Sequence, residues 1–388
     1  MQYKFINYHT GWSQYDRKYQ VKDIPIEHLT EVSYAFFNIL QNDQGDWVPG
    51  TGDTWGDFDR RFQGSDSVPP PDSWNDALSY HGNFGQFTKL KNVKDYRLTL
   101  SIGGWTWSKN FSLAVRTPQA RTAFTNALID IFKKYPIFNG VNLDWEYISN
   151  DNVNYGNSGN ITHPDDDKNC LLLIKQIRQA FAQNNMSDYT LSICCVAAPE
   201  KVKFNAKAYS DHVDEFHIMT YDFAGSWDLS NATHQSNLYK TDYTPYSVDT
   251  AVQHYLNLGV PSQKLIIGTP FYSRSFQGTD GLGKPASKNG PFKSWEAGIC
   301  DYKDLPNPGA TEMYDEQAEA AYSYDSVQKI LTTYDNPRSL KAKCDYIKKH
   351  KLGGIIAWES SGDFPVSDKR SLVKVIYDNL LSDTQAIA

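Results

Sequence analysis

The stretch Phe138-Asn139-Gly140-Val141-Asn142-Leu143-Asp144-Trp145-Glu146-Tyr147 alternates polar and apolar side chains with a period of two. That period belongs to a β-strand, on which successive side chains point to opposite faces. Asn142, Asp144 and Glu146 therefore share one face, and Val141, Leu143 and Trp145 share the other, toward a covering layer. In a strand of a closed barrel the polar row points inward and rises to the C-terminal mouth. Carboxyls at i and i+2 stand about 7 Å apart. Crowded in a low-dielectric interior, their pKa values are driven apart, and one is expected to hold a proton near neutral pH. Such a carboxyl can act as a general acid. The alternative, a strand end carrying two solvated acids, would make the alternation accidental.

Seven further short apolar runs read as strands: Lys4–Tyr8, Glu31–Asn38, Arg97–Ile102, Thr190–Val196, Glu215–Met219, Leu265–Pro270 and Gly354–Ala357. Helical spacing separates many of them, with Phe124, Leu128, Ile131 and Phe132 before the 139–145 run and Leu171, Leu172, Ile174, Ile177 and Phe181 after it. Strand alternating with helix predicts a parallel sheet, and eight such units predict a (β/α)8 TIM barrel. A doubly wound open sheet is the competitor, but no glycine-rich dinucleotide fingerprint follows the first run. Three segments interrupt the alternation, 42–85, 148–167 and about 276–335, each after a predicted strand, where a barrel builds its active face. The expected division is a barrel from 1–275 and 336–388, with a small α+β insertion over 276–335 after the seventh strand.

The chain has 388 residues, which exceeds most single domains but suits a barrel with insertions. Its formal net charge is −7, which argues against a general binder of nucleic acid or of an anionic membrane. No apolar stretch approaches the roughly 20 residues that span a bilayer. Ten Trp and 25 Tyr are numerous, and exposed rings make platforms for the apolar faces of sugars. Five cysteines, two of them adjacent at Cys194 and Cys195, read as core thiols rather than as a disulfide framework. No Cys or His spacing suits a metal, His9 and His163 included, so neither metal nor cofactor is expected.

Five motifs, in order, carry a resemblance. Asn139-Gly-Val-Asn142-Leu-Asp144-Trp-Glu146 lies over the pattern Asp-x-x-Asp-x-Asp-x-Glu. The others are Ser101-Ile-Gly103-Gly104-Trp105, Met219-Thr-Tyr221-Asp222-Phe with Gly225-Ser-Trp227, Gly268-Thr-Pro-Phe-Tyr272-Ser-Arg274, and Gly353-Gly354-Ile-Ile-Ala-Trp358-Glu359. Together they resemble glycoside hydrolase family 18, the chitinase family, over nearly the whole chain. The segment after Arg274 sits where many members carry an α+β insertion.

The resemblance implies hydrolysis of β-1,4-linked N-acetylglucosamine with retention, in which the substrate's own acetamido carbonyl forms an oxazolinium ion. It makes Glu146 the general acid and base, and Asp144 the partner of the acetamido N–H. Tyr221 would hold the acetamido oxygen, and Asp222 and Met219 would line the pocket. Trp358 would form the floor, Trp105 a platform on the leaving-group side, and Tyr272 and Arg274 would contact the sugar chain. Tyr8, Trp12, Phe37 and Trp227 are further candidates for the cleft. The implied ligand is chitin or chito-oligosaccharides.

One departure concerns Asn142, where the family usually has Asp; an amide donates and accepts but cannot ionise. Natural tolerance, attenuated activity and an introduced substitution all account for it. A non-catalytic chitin-binding lectin and an endo-β-N-acetylglucosaminidase acting on N-glycans are the alternatives; Glu146 argues against the first, and Trp105 with the insertion against the second. A polymeric substrate implies an extracellular location, although Met1-Gln-Tyr-Lys-Phe-Ile-Asn-Tyr lacks the basic start and long apolar segment of an export signal.

Overall fold

All eight predicted strands form. The computed structural model describes residues 2–75 and 77–382. Its strands are β1 (Lys4–Thr10), β2 (Glu31–Gln41), β3 (Trp47–Thr51), β4 (Arg97–Gly103), β5 (Gly140–Asp144), β6 (Thr190–Val196), β7 (Glu215–Met219), β8 (Leu265–Pro270), β9 (Arg274–Gln277), β10 (Lys288–Asn289), β11 (Thr311–Asp315), β12 (Ala320–Asp325), β13 (Ile330–Tyr334) and β14 (Gly354–Trp358). Eight of these pair in parallel in the order β1-β14-β8-β7-β6-β5-β4-β2, and pairing of β1 with β2 closes the ring. The chain is a (β/α)8 barrel. Residues 383–388, in the segment assigned to the barrel, lie outside the described residues.

The period of two in β5 determines what faces where. Val141, Leu143 and Trp145 are buried in the layer between barrel and helices, where Trp145 stacks on Phe111 at 5.1 Å. Helix Pro118–Lys134 is capped at its start: Thr117 Oγ1 accepts from Ala120 N at 3.1 Å, and Pro118 supplies the first turn. Phe124, Leu128 and Phe132 face the core. In helix Asp166–Gln183, Leu173 turns inward and Leu172 outward. Inside the barrel, Ile6, Tyr8, Ala35, Cys194, Ile266 and Ile356 form a smaller apolar group. The register sets Ser101, Asn142 and Ser192 side by side across β4, β5 and β6, so the interior also carries a polar layer.

The three interruptions have structure of their own. In 42–85, strand β3 pairs antiparallel with β2 and walls one side of the mouth. In 148–167, Asn160 Nδ2 donates to the carbonyl of Glu146 at 2.9 Å. The third forms an antiparallel sheet, β10-β9-β13-β12-β11. Its strand β9 begins at Arg274, which is paired with Thr333, so the sheet starts two residues before 276. Its helical part, among the described residues, is the 3-10 turn Tyr302–Asp304. At its exit Asp335 accepts from Thr269 Oγ1 at 2.7 Å and is ion-paired with buried Lys343, which ties the insertion to β8.

Candidate active site

Asn142, Asp144 and Glu146 climb β5 to the barrel mouth, and all three are buried. Asn142, fully enclosed, accepts at Oδ1 from Ser101 Oγ (2.9 Å), Tyr8 OH (3.2 Å) and Cys194 Sγ (3.3 Å), and donates from Nδ2 to Ser192 Oγ (2.9 Å). Asn139 stays at the foot of the strand, where its Oδ1 accepts from Lys91 Nζ at 2.7 Å; its role is structural. Ser108 Oγ accepts from Glu146 N at 2.9 Å and lies 3.1 Å from the Asp144 carbonyl, so one hydroxyl clamps the backbone between the acids. Gly103 and Gly104 make that approach possible. Both have positive φ, and a Cβ on them would stand 2.3 Å from the Asp144 carbonyl oxygen and 2.5 Å from the Phe36 ring, respectively.

Burial dominates the electrostatics. It pushes the Asp144 carboxyl up to about 7, against a smaller lowering by the Cys194 thiol, and leaves Asp144 Oδ1 without a hydrogen-bond partner. Glu146 is pushed well above the ordinary range, first by burial and then by the Asp144 charge, with Asp222 adding to it. Two carboxyls that each disfavour ionisation, and disfavour it more when the other is charged, retain a proton between them near neutral pH.

Three other strand ends surround the pair. After β7, Thr220 Oγ1 donates to Gly268 O at 2.7 Å and locks that end to β8. Gly268 leaves room for Tyr221, since a Cβ there would be 2.6 Å from its ring. Asp222 adopts a left-handed backbone (φ 56°), which Asp tolerates. Its Oδ1 accepts from Tyr272 OH (2.8 Å) and from Arg274 Nε (2.9 Å). Met219 lines the interior beside Trp358. Trp358, at the end of β14, stacks on Phe36 (5.4 Å, 20°) and packs against Tyr8 (5.3 Å) and Trp12 (6.5 Å). Half-exposed Trp105 and Trp227 flank the opening, with the Arg274 guanidinium 5.0 Å over the Trp227 ring. Among the described residues no group of three or more His, Cys, Asp or Glu is placed to hold a metal ion.

Residues 4–363 match the family described as Glycosyl hydrolases family 18. The chain belongs to glycosyl hydrolase family 18. It is 37% identical over 371 residues to Endochitinase 1 of Metarhizium robertsii, covering 92% of this chain and 80% of that protein. It is 36% identical over 388 residues to Chitinase 1 of Aphanocladium album, covering 96% and 84%. Among solved structures, the catalytic domain of psychrophilic chitinase B from Arthrobacter TAD20 superposes with a TM-score of 0.88 at 29% identity, covering 97% of this chain and 95% of that one.

In this family 18 hydrolase, Phe37 does not reach the cleft. It is buried in the helix-facing layer, stacked on Phe84 at 5.7 Å, and Phe36 takes the cleft position. The cause is a bulge. Tyr34 pairs with Leu100 but Phe37 with Ile102, so β2 spends three residues where β4 spends two, and the alternation changes phase. Tyr272 and Arg274, expected against the sugar chain, are both more than nine-tenths buried and committed to Asp222, with Arg274 also bonded to Glu296 (3.2 Å).

Sequence reasoning missed several residues around the candidate site. Cys194 was legible, because alternation along β6 turns Ser192 and Cys194 to the same face as Asn142. His217 was legible in the same way on β7. Trp295, which meets Tyr272 edge-on at 5.5 Å beneath the Arg17 guanidinium, had no signal beyond the aromatic count. Ser108 and Asn160 had none, since both act from loops on backbone atoms.

Proposed function

We propose that this family 18 hydrolase cleaves β-1,4 links between N-acetylglucosamine units of chitin, with retention and by participation of the substrate's acetamido group. The observation that carries the reading is the buried Asp144–Glu146 pair at the mouth of the barrel, where burial pushes both carboxyls toward their protonated forms. The two fungal relatives bear the names of chitinases, which favours chitin over an N-glycan.

With a pyranose on the Trp358 ring, the Glu146 carboxyl gives its proton to the glycosidic oxygen as the C1–O bond breaks. The acetamido carbonyl oxygen attacks C1 from the opposite face and the sugar becomes an oxazolinium ion. Asp144 accepts from the acetamido N–H, which its unpartnered Oδ1 suits, and its charge offsets the cation. Tyr221 OH donates to the acetamido oxygen. Water then adds to C1, its proton passes to the Glu146 carboxylate, and the ring opens to the retained product. Asp222 is a poor nucleophile here, because Tyr272 and Arg274 already hold its Oδ1. Glu146 thus serves first as acid and then as base, Asp144 orients the acetamido group, and no covalent enzyme intermediate forms, a variant of the two-carboxylate scheme.

The test is product release from an N-acetylglucosamine hexamer by wild type and Glu146→Gln, with binding measured on both. Cleavage that collapses in the variant while binding survives supports the reading. Binding without cleavage by either protein would make the chain a lectin. Release of sugar from a high-mannose glycoprotein but not from the hexamer would move the substrate to N-glycans.

A further inference from the structure

A polar column runs inside the barrel beneath the acid pair. At its foot Lys4 on β1 is ion-paired with Glu215 on β7. The other oxygen of that carboxylate, Oε2, lies 2.8 Å from His217 Nε2. His217 Nδ1 lies 3.3 Å from Asn142 Nδ2 and 3.5 Å from Tyr8 OH. His217 is fully buried. The ionisable groups that face it are Glu215 on its own strand, Lys4 and Tyr8 on β1, and Glu31 on β2; Arg97 on β4 faces Glu31 at 3.9 Å. Cys194 on β6 meets both Tyr8 (3.3 Å) and Asn142, while β8 and β14 contribute Ile266 and Ile356 to the interior.

The directions of these hydrogen bonds follow from chemistry. A carboxylate only accepts, so the hydrogen between Glu215 and His217 sits on Nε2. Burial keeps the ring neutral, lowering its pKa to about 3. Nδ1 is then a bare lone pair that only accepts, and it sets the direction of the Asn142 amide. The NH2 points to His217 and Ser192, and Oδ1 takes the donors of Ser101, Tyr8 and Cys194. Tyr8 stands close enough to feel the charge of Asp144 without bonding to it; the Cys194 thiol reaches the Asp144 carboxyl as well as Asn142, and Asp144 Oδ1 is left unpartnered.

We propose that His217 is a positioning residue for the catalytic pair: it holds the Asn142 amide so that Tyr8 donates to Asn142 rather than to Asp144, which stays free to turn to the substrate. This rests on the reading of Asp144 and Glu146 given above. It also accounts for the asparagine. An aspartate at 142 would set an acceptor against the His217 lone pair and would need a further proton, whereas the amide meets that lone pair with a donor. Asn142 and His217 are a matched pair.

Two near-isosteric substitutions separate the two ends of the imidazole. His217→Gln keeps an N–H where Nε2 was, for Glu215, and removes the acceptor at Nδ1. His217→Asn keeps an acceptor near Nδ1 and removes the donor to Glu215. Both are assayed with wild type and Glu146→Gln on the N-acetylglucosamine hexamer, after thermal melts establish folding. His217→Gln is expected to lower kcat about ten-fold with KM little changed, and to move the acid limb of kcat/KM to lower pH, because the released Tyr8 hydroxyl stabilises ionised Asp144. His217→Asn is expected to keep kcat within about three-fold and the limb in place. The reverse order, or equal losses with an unmoved limb, would mean that His217 serves only its ion pair and would overturn the proposal. Imidazole 15N spectra of the wild type read the tautomer without any assay and decide the case if neither variant folds. A proton on Nε2 alone, unchanged between about pH 5 and 8, supports the proposal; a proton on Nδ1, or titration near 6.5, overturns it. Undiminished cleavage by Glu146→Gln would instead remove the reading of the acid pair, and the positioning role with it.

Discussion

Replacing Asp144 by Asn should make the protein more stable at alkaline pH and inactive at every pH. The carboxyl is lifted from its ordinary 3.8 to about 7 by burial. A folded-state value above the unfolded one means a contribution to stability that is full below pH 3.8 and is lost as pH rises through about 7. A displacement of about three pH units, at about 1.4 kcal/mol each, amounts to something on the order of 4 kcal/mol. With unfolding entropy near 2 cal/mol/K per residue, 388 residues have about 0.8 kcal/mol/K, so the effect is about 5 °C in Tm. The amide has the same shape and cannot ionise. It also relieves Glu146 of the Asp144 charge, which acts in the same direction. The assay is scanning fluorimetry of both proteins at pH 4 and pH 8. The difference in Tm, variant minus wild type, should grow by several degrees between those two values. A difference that is the same at both would refute the claim that a desolvated carboxylate is held here, and with it the claim that the site is assembled at a cost to stability.

Phe36→Ala and Phe37→Ala should part company: the first removes the ring stacked on Trp358 and should raise KM for chito-oligomers, while the second opens a cavity beside Phe84 and should cost about 3–5 kcal/mol in urea denaturation with KM unchanged. His9 is buried and neutral, with its pKa lowered to about 3 by burial alone, so stability is retained above the ordinary 6.5 and falls as pH drops toward 3, by up to about 1.4 kcal/mol per pH unit. His9→Phe, which keeps the contacts with Tyr19, Tyr34 and Phe87, should flatten that slope in urea midpoints taken at pH 7 and pH 4.5. Arg274→Lys retains the charge but loses the fork that binds Asp222 and Glu296, and should lower kcat/KM roughly ten-fold in steady-state assays.

The pKa of Asp144 and the orientation of Asn142 have a common origin. The Tyr8 hydroxyl, which would steady an ionised Asp144, is spent one step lower in the barrel, on an amide that His217 holds in place. A site arranged in this way keeps its carboxyls poorly solvated on purpose, and the excess free energy is available when a substrate brings a proton acceptor and an N–H donor to them.

The sequence by itself determined the elements and the chemistry of the reactive row. Period-two alternation along β5 and helical spacing on either side of it are local properties, and local steric preference decides them wherever a covering layer exists. The order of Asn142, Asp144 and Glu146 and the places of eight strands, to within three residues at their ends, were legible for that reason. Tertiary structure decided whatever depends on a neighbour distant in sequence. A one-residue bulge against β4 exchanged Phe37 for Phe36 in the cleft, because phase along a strand is set by its partner. Ser108 and Asn160 reach Glu146 across 38 and 14 residues, through backbone atoms that carry no residue identity. The direction of the Asn142 amide was settled by a histidine 75 residues away and a carboxylate that fixes its proton. Residue types announce what chemistry a site can do; the closing of the barrel decides which hydrogen faces which lone pair.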